Sequence, residues 1–221
     1  MIINNDENII SLNTTLKSHV YAIKDSLGYT LIDTSFPGKG KAIIKELKRI
    51  KINLKQINKI LITHSDIDHI GSAKYLMKKL KCKVYISQAE YDNYLTKSQK
   101  IIDELPWFKK FIIKNFLLVN RDHLTIIRDH KIDEFEVITT PPHFHSYGMV
   151  MYLYKQMLFC GDFIQSKCNK FMLIPENHNL DNKIYLDFIK KFDMSNINYV
   201  CQSHGKPLPA HPLWAEFIKT L

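Results

Sequence analysis

Apolar residues recur along the chain in two rhythms, and each change of rhythm marks a new element. His19-Val-Tyr-Ala-Ile23 and Tyr29-Thr-Leu-Ile-Asp33 are short β-rich runs around the turn-forming Asp25-Ser-Leu-Gly28, so this part of the chain reads as a β meander. Pro37-Gly38 and Gly40 break the pattern. Ile43, Ile44, Leu47 and Ile50 then fall at helical spacing with lysines on the other face, predicting a helix over Ala42–Ile50. Lys59-Ile-Leu-Ile-Thr63 is nearly all apolar, the pattern of a strand covered on both faces. A helix over Ser72–Leu80 and a strand over Lys83–Ser87 follow.

Residues 89–120 are less regular. Tyr91, Tyr94, Trp107, Phe108, Phe111 and Phe116 stand among lysines there; two helices with a connection are expected, their aromatics read as core, with a lid over a pocket as the alternative. Strand character returns at Leu124–Ile127, Phe135–Thr139, Met149–Tyr154 and Met157–Cys160. A helix is expected at Ile184–Phe192, a strand at Asn198–Cys201 and a final helix at Leu213–Leu221. Strands and helices alternate without a repeat or linker, so residues 1–221 are expected to form a single layered α/β domain.

Composition narrows the class without naming a function. A chain of 221 residues with 45% hydrophobic and 24% charged residues has enough apolar material for a sizeable core. No apolar run reaches the roughly 18 residues of a membrane span. The first eight residues carry Asp6 and Glu7 and no basic cluster, so a cytoplasmic protein is expected. Cys82, Cys160, Cys168 and Cys201 are scattered and form no C-x-x-C pair, as free thiols of a reducing compartment would. The net charge of +9 is nearly all lysine, spread from Lys17 to Lys219, and reads as solvated surface rather than as a nucleic-acid patch.

Chemistry concentrates at strand ends. Thr63-His-Ser-Asp-Ile-Asp-His-Ile-Gly71 places His64, Asp66, Asp68 and His69 within six residues directly after an apolar strand, and His69-Ile-Gly71 is expected to open the next helix. A metal site needs this: imidazoles and carboxylates held close by a rigid element. A second strand runs into Thr140-Pro-Pro-His-Phe-His-Ser-Tyr-Gly148, presenting His143 and His145. A third ends at Gly161-Asp162, and a fourth at Ser203-His204-Gly205. Four apolar strands each delivering His or Asp at the C-terminal edge describe a binuclear metal site.

This order resembles the metallo-β-lactamase superfamily, whose signature runs T-H-x-H-x-D-H, T-P-x-H-[ST]-x-G, a G-D after a strand and a late G-H-G. The stretch Leu31-Ile-Asp-Thr-Ser-Phe-Pro-Gly38 is similar to that family's early L-I-D-T-G. The resemblance implies a four-layer αββα sandwich of metallo-β-lactamase type. It also implies a first metal held by His64, Asp66 and the third-motif histidine, and a second by Asp68, His69 and His204, with Asp162 bridging. His143 fits T-P-x-H, while His145 fits H-S-x-G before an apolar strand. The reading takes His145 as the ligand, with His143 on the same side of an extended segment and facing substrate. His178, on the 175–179 loop, is a second substrate contact.

Position 66 departs from the pattern, with Asp where the family has His. The carboxylate lowers the net charge of the donor set by one and moves its preference from zinc toward iron or manganese. Two divalent ions are expected, zinc first among them. A metal-dependent hydrolase follows, acting on a small ester, thioester or lactone, with Asp68 orienting the nucleophile. The alternatives are a di-iron redox protein needing a separate flavin partner, and a metal-dependent phosphodiesterase or nuclease. The partner is expected to be a small-molecule substrate, with neither nucleic acid nor membrane.

Overall fold

The computed structural model describes residues 2–3, 6–12, 18–104, 106 and 124–221. Its contacts divide the chain into two compact units, Met1–Ile127 and Arg128–Leu221.

In the first unit, seven strands form one sheet in sequence order among the described residues. The strands β1 (Ile2–Ile3), β2 (Asp6–Leu12), β3 (Val20–Asp25) and β4 (Gly28–Ile32) pair antiparallel as a meander. The next three, β5 (Ile57–Leu61), β6 (Lys83–Ile86) and β7 (Leu124–Ile126), continue it in parallel. Parallel neighbours need crossovers, and α1 (Gly40–Arg49), α3 (Ala73–Leu80) and α4 (Gln88–Glu104) supply them. The spacing that predicted α1 buries Ile43, Ile44 and Leu47, while α3 buries Leu76, Met77 and Leu80. They pack on Leu31, Ile60, Ile62, Val84 and Ile86 in one continuous core.

One strand residue breaks the apolar pattern. Lys59 on β5 is buried, its Nζ 3.0 Å from Asp25 Oδ2. Thr30 Oγ1 donates to the same oxygen at 2.6 Å and the Leu27 amide to Asp25 Oδ1 at 2.9 Å. Burial pushes the Asp25 carboxyl up, and the hydrogen bonds from Thr30, Lys59 and Leu27 together with the lysine charge outweigh it, leaving it below its ordinary value.

The second unit carries a six-stranded sheet in the order β15-β14-β11-β10-β9-β8. These are β8 (Lys131–Ile132), β9 (Phe135–Thr139), β10 (Val150–Tyr154), β11 (Met157–Gly161), β14 (Tyr199–Gln202) and β15 (Leu208–Pro209). All pairs are antiparallel except β11 with β14, and β12 (Gln165–Lys167) with β13 (Lys170–Met172) forms a separate hairpin. The helices α5 (Asn182–Lys191) and α6 (Leu213–Ile218) bury Tyr185, Ile189, Trp214 and Phe217 against Met151, Leu158, Cys160 and Val200. Asp181 caps α5, accepting from the Lys183 and Ile184 amides.

The predicted elements recur within a residue or two at most boundaries. The strands β1, β2, β8 and β15 and the β12–β13 hairpin are additions the sequence pattern did not suggest. Tyr91 and Tyr94 lie in the core of the first unit. Trp107, Phe108, Phe111 and Phe116, and with them the second expected helix, lie outside the described residues.

Candidate metal centre

The first donor set is built where β5 ends. Residues 62–66 leave the strand without regular structure, and α2 (Ile67–Ile70) begins at Ile67, two residues before the expected His69. His64 and His69 are both fully buried, with ring centroids 3.9 Å apart. His64 Nε2 lies 3.7 Å from Asp66 Oδ2, and His69 Nε2 lies 3.7 Å from Asp68 Oδ2. Pairs of donor atoms at this separation suit ligation of one ion, since metal–ligand bonds near 2.0–2.2 Å place neighbouring ligands about 3–3.5 Å apart.

The tautomers follow from what the other ring nitrogens touch. His69 Nδ1 is 2.9 Å from Asp33 Oδ2, and a carboxylate only accepts, so Nδ1 carries the proton and Nε2 presents a lone pair. Thr63 Oγ1 donates to Asp33 Oδ2 at 2.8 Å and therefore accepts from His64 Nδ1 at 3.0 Å. His64 Nε2 is again the lone-pair nitrogen. Both imidazoles are oriented as neutral metal ligands require.

Asp33 is central to this bed. It also accepts the Thr63 amide through Oδ1 at 2.8 Å, and its φ of +59° turns the chain sharply off β4. The next two residues grip α2 and the turn that follows it. The Thr34 amide and hydroxyl both donate to the His69 carbonyl at 2.7 Å, and the Ser72 amide donates to the Ser35 carbonyl at 3.2 Å. Ser18 Oγ donates to the Asp68 carbonyl at 2.8 Å.

A second clamp comes from α4. Buried Glu90 accepts the Ser65 amide at 2.8 Å, Asn93 Nδ2 donates to Ser65 Oγ at 2.9 Å, and Lys97 Nζ lies 2.9 Å from Asp66 Oδ1. Positions 90, 93 and 97 share one helix face. Beside them a cavity of about 290 Å³ is lined by Ser65, Asp66, Asp68, Tyr94, Lys97 and Ser98, among others. Burial pushes the Tyr94 phenol up to about 12 despite its hydrogen bond with Ser98.

The second donor set lies in the other unit. After β9, buried Phe144 anchors the 141–148 loop among Phe163, Tyr185 and Phe188. His145 is buried, and His143 is exposed with its ring edge-on to Tyr147. The two are not on one side of an extended segment as expected, because His143 has a φ of +61° and breaks the extension. Asn179 Nδ2 donates to Asn182 Oδ1 at 2.9 Å, so Asn179 Oδ1 faces His145 Nδ1 at 3.3 Å as acceptor. That bond leaves His145 Nε2 as the lone-pair nitrogen. Exposed His178 lies one residue from Asn179.

At the end of β11, Gly161 takes a φ of +52° that L side chains rarely adopt, and the corner presents Asp162. Asp162 Oδ2 is 3.5 Å from His145 Nε2 and 3.3 Å from His204 Nε2. One carboxylate oxygen thus stands between two imidazoles. Behind it Tyr185 accepts the Ile174 amide at 2.9 Å and donates to the Phe163 carbonyl at 3.1 Å, its phenol pushed up by burial. Cys160 and Cys201 are buried in the core, and burial raises both thiols, which fits inert structural cysteines.

Sequence reasoning missed Asp33 as a support and the α4 face of Glu90, Asn93 and Lys97. The signals were present: an acidic residue ending a strand, and polar residues repeating at helical spacing between core tyrosines. Asn179, which holds His145 Nδ1, was not singled out either.

An archaeal metallo-beta-lactamase superfamily protein from Sulfolobus tokodaii shares this fold at a TM-score of 0.69 and 18% identity, covering 96% of this chain and 85% of that one. A probable metallo-hydrolase of Methanocaldococcus jannaschii is 26% identical over 175 residues, 79% of this chain and 70% of the relative. A hydroxyacylglutathione hydrolase of Buchnera aphidicola subsp. Baizongia pistaciae is 28% identical over 183 residues. That match spans 73% of this chain and 63% of the relative, less than two thirds of its length. The structural likeness shows the fold, an α/β architecture. The family model of the metallo-beta-lactamase superfamily matches residues 13–204, both donor sets included, and the chain belongs to that superfamily.

Proposed function

We propose that both donor sets serve one binuclear centre and that the chain hydrolyses a small thioester, with esters and lactones as related substrates. The observation that carries this reading is the tautomer pattern. Asp33, Thr63 and Asn179 hold the Nδ1 hydrogens of His69, His64 and His145, so each imidazole offers Nε2 beside a carboxylate. That donor chemistry fits divalent zinc, and the carboxylate of Asp66 also admits iron or manganese.

His64, Asp66 and His145 would hold one ion and Asp68, His69 and His204 the other, with Asp162 bridging. Bound divalent ions supply Lewis-acid polarisation of a carbonyl oxygen and a nucleophile drawn from solvent at neutral pH. Asp68 orients that nucleophile and takes its proton toward the departing thiolate. His143 and His178, both exposed, contact substrate. Thioesters are put first because a relative is named for hydroxyacylglutathione, whose acyl group is carried on sulfur.

The test is metal analysis of the purified protein followed by thioester turnover, read as released thiol. Chelation should abolish thiol release and added zinc should restore it. Turnover that survives complete metal removal would overturn the reading, and a coloured, iron-loaded protein without hydrolase activity would move it to the redox alternative.

A further inference from the structure

Asp66 behaves unlike an ordinary residue at its position. It is the N-cap of α2, where an aspartate side chain normally accepts a helix amide, yet it makes no capping hydrogen bond. Its two oxygens are divided instead: Oδ1 lies 2.9 Å from Lys97 Nζ, and Oδ2 lies 3.7 Å from His64 Nε2. The ion pair does little for the fold. Its side chains are 38% and 50% exposed, and a pair so open to solvent is screened and contributes little to stability. The arrangement is nonetheless built, because Glu90 and Asn93 fix Ser65 from the same helix face and bring Lys97 to Asp66.

We propose that Lys97 is the counter-charge of Asp66, a positioning residue that makes the Asp66–Lys97 pair electrically equivalent to a neutral histidine ligand. This rests on Asp66 being a metal ligand as read above. An aspartate in place of histidine adds one negative charge to the donor set, and a lysine on its outer oxygen returns the sum to that of the neutral ligand. The outer oxygen is occupied, so the inner one alone faces His64 and would ligate through a single atom.

The charge reading has a sign that a purely structural clamp lacks. Removing Lys97 leaves a donor set one charge more negative and removes a cation that repels the ion, so binding tightens. If Lys97 merely held Asp66 still, its loss would weaken binding. The experiment is zinc affinity of the full chain, by competition with a chromophoric chelator, for wild type, Lys97→Met, Lys97→Arg, Asp66→His and the Asp66→His/Lys97→Met double variant. Lys97→Met should bind zinc about tenfold tighter and Asp66→His about tenfold weaker. The double variant should return to within about threefold of wild type, and Lys97→Arg should match wild type.

Circular dichroism and thermal midpoints establish that each variant folds, and Lys97→Gln replaces Lys97→Met if the latter does not. Unchanged or weaker zinc binding in Lys97→Met, or in Lys97→Gln where it stands in, with zinc still bound by wild type, overturns the counter-charge role alone. A wild-type protein that takes up no zinc, iron or manganese overturns it together with the metal reading.

Discussion

Replacing Asp33 by Asn changes one atom beneath His69 and separates support of the fold from support of the metal. Asp33 receives three hydrogen bonds, from the Thr63 amide, the Thr63 hydroxyl and His69 Nδ1, all within 2.9 Å and buried. In Asp33→Asn the carbonyl oxygen keeps the Thr63 amide, and the new NH₂ faces His69 Nδ1. Two donors cannot face one another, so His69 moves its proton to Nε2 and ceases to present a lone pair there. The backbone tolerates the change because Asn accepts the left-handed φ of +59°.

Asp33→Ala is harsher. It removes the buried acceptor that serves the Thr63 amide and His69 Nδ1, at about 1–3 kcal/mol each, so the loss is about 2–6 kcal/mol, with roughly 1 kcal/mol more for alanine in the left-handed region. Asp33→Asn should cost only about 1–2 kcal/mol, a few degrees in thermal midpoint for a chain of this size. It should still weaken metal binding by about 10–100-fold. Thermal melts of the metal-free proteins and a chelator competition measure the two effects. An Asp33→Asn protein that holds metal as tightly as wild type, or that loses as much stability as Asp33→Ala, would refute the tautomer argument.

Lys59→Met should destabilise the first unit by about 3–5 kcal/mol in denaturant melts at neutral pH, since it strands Asp25 as a buried, unpaired carboxylate. Asp25 has a folded-state pKa below its ordinary 3.8, so it stabilises the fold above that pH and the contribution is lost as pH falls through the lower folded value. The gap between wild type and Lys59→Met should therefore close in acid, and a constant gap down to pH 2 would count against the pair. Gly71→Ala should cost at least about 1–3 kcal/mol, because a Cβ there would stand 2.4 Å from Pro37 Cδ and 2.3 Å from the Ile67 carbonyl oxygen. A melt indistinguishable from wild type would show that the turn between α2 and α3 has slack.

Much of the candidate site was legible because potential metal ligands are recognised by residue type. His64, Asp68, His69, Asp162 and His204 stand out as titratable residues at the ends of apolar strands, and strand rhythm survives in a short window. The supports were harder to see. Asp33 lies thirty residues before Thr63, and Lys97 lies thirty-one residues after Asp66, so their pairing depends on parallel strands and a crossover helix that no local pattern encodes. Lys59 reads as an ordinary surface lysine until the register of β3, β4 and β5 sets it against Asp25.

By itself, the sequence determined the alternation of strands and helices, the apolar faces that make the two cores, and which side chains can bind a metal. Periodicity and side-chain chemistry are local properties, which is why they can be read from the chain alone. Tertiary structure decided which ring nitrogen each histidine presents, which oxygen of Asp66 is taken by Lys97, and that His143 turns outward while His145 is buried. Those outcomes depend on hydrogen-bond partners brought together by folding and on one residue's φ, and neither has a signature in residue order.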